Sequence, residues 1–244
     1  WAMAAVAVLA VVFVLMGTED TRGAQRLPMD WPGSAALVVS LGTVLTAFNQ
    51  LGKLGEADFV LIAVLLVIGA AAFAAFWRIE STSSAPLVAT HYLKQRRTWG
   101  LLATTTLTMT GVFAIMNGLI PNLAQSQTFA GLDAGTVSWV TLTPYALAGL
   151  VFGPVAGRLA ARYGYVTVLR GGMIVTVGGI VFSLLVVSVP TAVTLLIVSV
   201  WLGIAYAGVV NIMLNGLGVV LSPKDNAGYL PGMNSGAFNI GAGL

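Results

Sequence analysis

A few amide, hydroxyl and aromatic side chains lie inside long apolar runs, where a polar group must find a partner. Thr106, Thr110 and Asn117 recur at helical spacing with Phe113, and Trp201, Asn211 and Asn215 recur with Gly208 in a later run. An amide left unpaired in hydrocarbon costs about a few kcal/mol, so these groups either bond between helices or line a water-filled cavity. The ionisable residues offer no other chemistry. Glu19, Asp20, Asp30, Glu56, Asp58, Glu80, Asp133 and Asp225 all fall in polar segments or at the ends of apolar runs, and the only histidine, His91, sits in a basic polar segment. With no cysteine either, the runs contain no nucleophile–base pair, no carboxylate pair and no metal-ligand cluster. No catalytic residue, metal or cofactor is expected, which leaves hydrogen-bonded recognition of a small molecule.

The elements that carry these residues must be membrane helices. The chain is 58% hydrophobic and 8% charged, far from the roughly one-quarter charged residues of a soluble domain. Several runs exceed the ~18 apolar residues of a spanning helix and none alternates as a barrel strand does, so the fold class is an all-α polytopic membrane protein. The bilayer is its first partner and a cell membrane its location, as a multi-pass protein. The net charge of +3 is spread over polar segments on one side, which suits anionic lipid and gives no reason to expect nucleic acid.

Orientation follows from arginine. Residues 157–170 place Arg158, Arg162 and Arg170 between two apolar runs and are expected to form a cytoplasmic hairpin loop. Six complete spans are predicted: Ser34 to Leu51, Phe59 to Trp77, Leu101 to Ile120, Gly135 to Gly157, Val166 to Val189 and Thr191 to Leu217. Pro121 is expected to close the third of them, and Asp133 to cap the fourth. Partial spans stand at 1–16 and after Pro231, so the chain reads as an internal piece of a longer protein. The intervening segments are a cytoplasmic loop at 17–33 and an amphipathic surface segment at 78–99, with a plain solvated linker as the alternative for the latter. In this layout every Lys and Arg except Lys53 lies inside.

Gly149, Gly153 and Gly157 recur every fourth residue around Pro154, a row that suits close helix packing or a pivot. The stretch Gly153-Pro154-x-x-Gly157-Arg158-Leu159-Ala160-x-Arg162-x-Gly164 resembles the loop signature of the major facilitator superfamily, with Ala161 where that family carries Asp. The wider layout is similar to the fourteen-span drug:proton antiporter subfamily. Asp30-Trp31, two extra spans at 34–77, Arg97-Thr98-Trp99 and a Gly-rich helix after Ala227-Gly228 carry that resemblance, although Phe238-Asn239 stand where the subfamily tends to have Arg-Gln. The resemblance implies a major-facilitator-like bundle, with 1–16 ending the first half and 100–244 forming most of the second. It also implies proton-coupled export of small amphipathic or drug-like molecules by alternating access. Thr106, Thr110, Phe113, Asn117, Trp201, Asn211 and Asn215 would then face the substrate cavity, and Gly153, Pro154, Gly157, Arg158, Arg162 and Gly164 would form the conformational loop motif. A non-transporting membrane scaffold or subunit is the alternative.

Overall fold

The computed structural model describes residues 2–17, 30–83, 90–93, 95–126, 130–186, 188, 191–224 and 227–244. Regular structure among them is entirely helical: α1 (Ala2–Gly17), α2 (Trp31–Leu51), α3 (Phe59–Thr82), α4 (Thr90–Leu93), α5 (Arg96–Phe113), α6 (Ile120–Gln125), α7 (Ala134–Val140), α8 (Leu142–Tyr163), α9 (Tyr165–Val186), α10 (Ala192–Leu202), α11 (Asn211–Val220) and α12 (Tyr229–Gly243). A π-helical segment, Ala114–Leu119, joins α5 to α6, and another, Gly203–Val210, joins α10 to α11. Among the described residues, six helical stretches are long and apolar enough to cross a membrane, matching the six predicted spans. Large apolar side chains such as Leu107, Leu150, Ile174 and Leu185 stay exposed along them, as lipid-facing helices require.

The polar residues at span ends explain where helices begin. Asp30 accepts from the Gly33 amide, Asp58 from Val60 and Leu61, and Asp133 from Gly135 and Thr136, each satisfying donors that a first helical turn leaves open. Hydrogen bonds from the Thr136 hydroxyl and backbone hold the exposed Asp133 carboxyl below its ordinary value. Thr191 and Thr194 close a reciprocal capping box on α10.

Three boundaries differ from expectation. Residues 157–170 are not a loop, because α8 runs to Tyr163 and α9 starts at Tyr165, with Gly164 alone between them at φ 82°. The stretch Ala134–Tyr163 is 30 residues long, about 45 Å against a hydrocarbon core of about 30 Å, so its arginine-bearing turns can leave the core while still helical. The ends of the predicted surface segment 78–99 belong to spans, since α3 continues through Arg78 to Thr82 and Arg96 opens α5, with the short helix α4 between them; residues 84–89 and 94 lie outside the described residues. Pro121 does not end its span, because the helical stretch runs from Arg96 to Gln125 and the π turn just before the proline widens the ladder where it cannot donate.

Packing separates a hairpin from a bundle. Helices α2 and α3 pack against each other, with Ser40 donating to the Gly69 carbonyl at 3.0 Å. In the bundle, the α10–α11 stretch is the most buried of the six spans. Helices α8 and α9 pack on its π segment, and α12 packs along α5. Leu195, Leu202, Val210, Met213 and Leu214 of that central stretch are fully buried together with Met116 and Ile120.

Candidate functional site

The centre of the bundle depends on backbones approaching closely. A Cβ at Gly203 would lie 2.5 Å from the Tyr145 carbonyl oxygen, one at Gly149 would lie 2.7 Å from the Ala207 Cβ, and one at Gly208 would lie 2.8 Å from the Phe152 Cβ. These glycines let α8 and the π segment share one surface. The π geometry is visible in the ladder itself, where the Asn211 amide bonds the Tyr206 carbonyl and the Ile120 amide bonds the Ile115 carbonyl, each five residues back. The extra residue in each wide turn shifts the register of everything that follows. It therefore decides which way Asn211 and Asn215 face.

Those two asparagines belong to a hydrogen-bonded row that crosses three helices. The Thr105 hydroxyl of α5 donates to Asn234 Oδ1 of α12 at 2.6 Å, and Asn234 Nδ2 donates to Asn215 Oδ1 of α11 at 3.3 Å. Asn215 Nδ2 in turn donates to the Asn211 backbone carbonyl at 2.9 Å and to Asn211 Oδ1 at 3.1 Å. Thr105 and Asn234 are each only 2% exposed, while Asn211 is half-buried and Asn215 exposed. The row runs from the buried interior to an exposed face of the bundle.

The other sequence candidates lie elsewhere. Thr106 donates to the Ala237 carbonyl of α12 at 3.2 Å, a helix-to-helix bond, and Thr110 donates to the Thr106 carbonyl of its own helix at 2.9 Å. Asn117 and Phe113 are exposed, and Asn117 stands roughly 18 Å beyond Thr105 along the span, so it is not in the same layer as Asn211 and Asn215. Trp201 donates to the Val175 carbonyl at 2.9 Å and stacks on Phe182 at 5.6 Å, which seats its ring against α9. The π segment between Trp201 and Asn211 breaks the single stripe that α-helical spacing predicts.

The motif residues divide by role. Gly153 makes only an ordinary contact with Ile212 at 3.9 Å and Gly157 faces open space, so close packing in that row belongs to Gly149. Pro154 is accommodated within a continuous α8. Arg158 and Arg162 ride the last turns of α8, with the Arg162 guanidinium 5.2 Å from the Tyr163 ring centre. Gly164 accepts the positive φ that lets two spans meet across one residue.

Sequence reasoning missed Thr105 and Asn234. The stripe through Asn117 selected Thr106 from the run Thr104-Thr105-Thr106, whereas it is Thr105 that reaches the Asn234 side chain and Thr106 that bonds an α12 main-chain carbonyl. Asn234 is also an amide within an apolar helix, and the desolvation argument applied to Asn117 would have marked it. A cavity of about 620 Å³ opens at the arginine-bearing end between Arg97, Thr104, Tyr165, Leu214 and Leu217, and no sequence-predicted cavity residue lines it.

Two comparisons bear on this arrangement. The uridine/deoxyuridine transporter of Lactococcus lactis subsp. cremoris (strain MG1363) is 54% identical over 247 residues, covering 99% of this chain and 52% of that protein. The chain thus spans about half the length of this relative. The Major Facilitator Superfamily pattern matches residues 1–244, the entire sequence. Six lipid-suited spans among the described residues, a glycine-packed helical bundle and the match across residues 1–244 together make this chain a multi-pass membrane protein belonging to the major facilitator superfamily.

Proposed function

We propose that this chain forms part of a secondary transporter that carries pyrimidine nucleosides by alternating access, with a site near the level of Asn211 and Asn215. The identity of 54% across nearly the whole chain to a uridine/deoxyuridine transporter carries this reading. The row of amides supports it, because a nucleobase edge combines donors and acceptors that amide side chains match. A half-buried amide beside an exposed one also suits a site that must release its ligand. Cells making the full-length protein should accumulate labelled uridine, and excess deoxyuridine should compete. Absence of flux at normal membrane abundance would refute the reading.

Protons are the proposed coupling ion, carried over from the family resemblance but moving inward together with the nucleoside; collapsing the proton gradient should then abolish accumulation. A second reading, export of amphipathic drug-like compounds, rests on the resemblance of the α2–α3 hairpin to the two extra spans of the fourteen-span group. Competition separates the two, since lipophilic cations should displace the substrate of a drug exporter and leave uridine transport untouched. A scaffold role predicts no flux of either kind.

In the proposed orientation Arg158, Arg162 and Arg170 face the cytoplasm and Ser126 faces outside. A cysteine introduced at Ser126 should react with an impermeant thiol reagent applied to intact cells. Labelling only from the cytoplasmic side would invert the layout.

A further inference from the structure

The amide row has a direction that the backbone dictates. A main-chain carbonyl can only accept a hydrogen bond, so the contact from Asn215 to the Asn211 carbonyl at 2.9 Å must be made by the Asn215 nitrogen. Its oxygen is thereby turned to Asn234, which must offer nitrogen at 3.3 Å and turn its own oxygen to Thr105. The Thr105 hydroxyl must then donate, at 2.6 Å. Thr104 and Thr110 hand their protons to carbonyls four residues back on their own helix, and Thr106 donates to the Ala237 main-chain carbonyl of α12. Thr105 sends its proton to a side chain of α12.

At the open end, Asn211 Oδ1 receives the Asn215 amide at 3.1 Å, which fixes the orientation of the Asn211 side chain. Its Nδ2 donates to none of the described residues. Asn211 therefore shows the open face a donor, beside an oxygen that retains a second lone pair. A freely rotating amide is ambivalent, because turning it over exchanges donor and acceptor. The Asn215 contact removes that ambivalence, and Asn234 holds the exposed Asn215 in place from the buried side.

We propose that Asn234 is a positioning residue for substrate selection, holding the row so that Asn211 reads a nucleobase edge with a carbonyl beside an N–H, as in uracil. The edge of cytosine, with an amino group beside a bare ring nitrogen, meets the same amide with donor facing donor. This inference rests on the nucleoside reading above. Asn234 itself is sealed from the open face and touches no substrate.

The test is competition between uridine and cytidine in the full-length protein, with uptake normalised to membrane abundance. Wild type should prefer uridine. Asn234→Leu should lower that preference about tenfold, because the exposed Asn215 side chain, no longer held from the buried side, can swing off Asn211 and let the Asn211 amide turn, with cytidine binding gained as uridine binding is lost. Thr105→Val keeps the side-chain shape and removes the donor, so it should move the ratio in the same direction by less; it carries the test where Asn234→Leu lowers abundance. An unchanged ratio in the variants that reach the membrane, or a parallel fall for both nucleosides, would overturn the relay while leaving nucleoside transport intact. Equal transport of uridine and cytidine by wild type would overturn it too. A wild-type protein that moves no nucleoside would overturn this inference and the proposed function together.

Discussion

A single methyl group at Gly203 should cost this protein most of its folded form. The added Cβ would fall 2.5 Å from the Tyr145 carbonyl oxygen and 2.9 Å from the Tyr145 Cα and the Ala148 Cβ. Two of those atoms are backbone, so no rotamer change relieves the contact and α8 must move away from the π segment as a whole. Overpacking a close-packed site costs about 1–3 kcal/mol, and a backbone clash belongs at the upper end. Losses of that size lower abundance several-fold. Gly203→Ala should therefore deplete the protein in the membrane, and Ala148→Gly should not restore it. Gly149→Ala makes a useful contrast, because its nearest clash is with the Ala207 Cβ at 2.7 Å, which Ala207→Gly removes. The double variant should recover. Gly153→Ala, with Ile212 no nearer than 3.9 Å, should be close to neutral. Thermal unfolding in detergent and quantified membrane abundance would check all of these variants. Normal folding of Gly203→Ala, or no recovery in the Gly149→Ala/Ala207→Gly pair, would show that the glycine interface is not what holds α8.

Replacing the two exposed-end asparagines should separate recognition from folding. Asn211→Ala removes the terminal amide and strands no buried group, since its backbone carbonyl still accepts from Asn215. Abundance should stay near normal while uridine affinity falls about tenfold, the scale of one lost hydrogen bond to substrate. Asn215→Ala differs because it leaves the Asn234 amide without its acceptor in a buried site, a penalty of about 1–3 kcal/mol. That variant should lose both affinity and thermal stability. Substrate competition and unfolding midpoints, measured on the same preparations, would check the split. Equal loss of stability in both variants, with substrate preference unaltered, would make the asparagines structural and move the site elsewhere in the bundle.

Much of this protein was legible in the residues alone. Span number and helical class follow from apolar run length, because a bilayer of fixed thickness leaves a chain few ways to satisfy its backbone. Asp133 as a helix cap was legible for a similarly local reason, since a cap involves only the residues of one turn. The motif around Gly153 and Arg158 pointed to the family that matches residues 1–244.

What the sequence could not determine lay in contacts between helices. The stripe joining Trp201 to Asn211 and Asn215 assumed an α-helical period throughout, and the π segment Gly203–Val210 broke it, leaving Trp201 against α9. A wide turn pays for itself through the approach of a neighbouring helix, and no local residue preference announces it. The same holds for Gly149, which packs tightly while Gly153 and Gly157 on its own row do not. Thr105 and Asn234 stand 129 positions apart, and only the packing of α12 along α5 makes them partners. Residue types and spacing thus determined which groups would need partners in a membrane, and the tertiary structure decided which partners they found, because a hydrogen bond between helices depends on their relative rotation and separation.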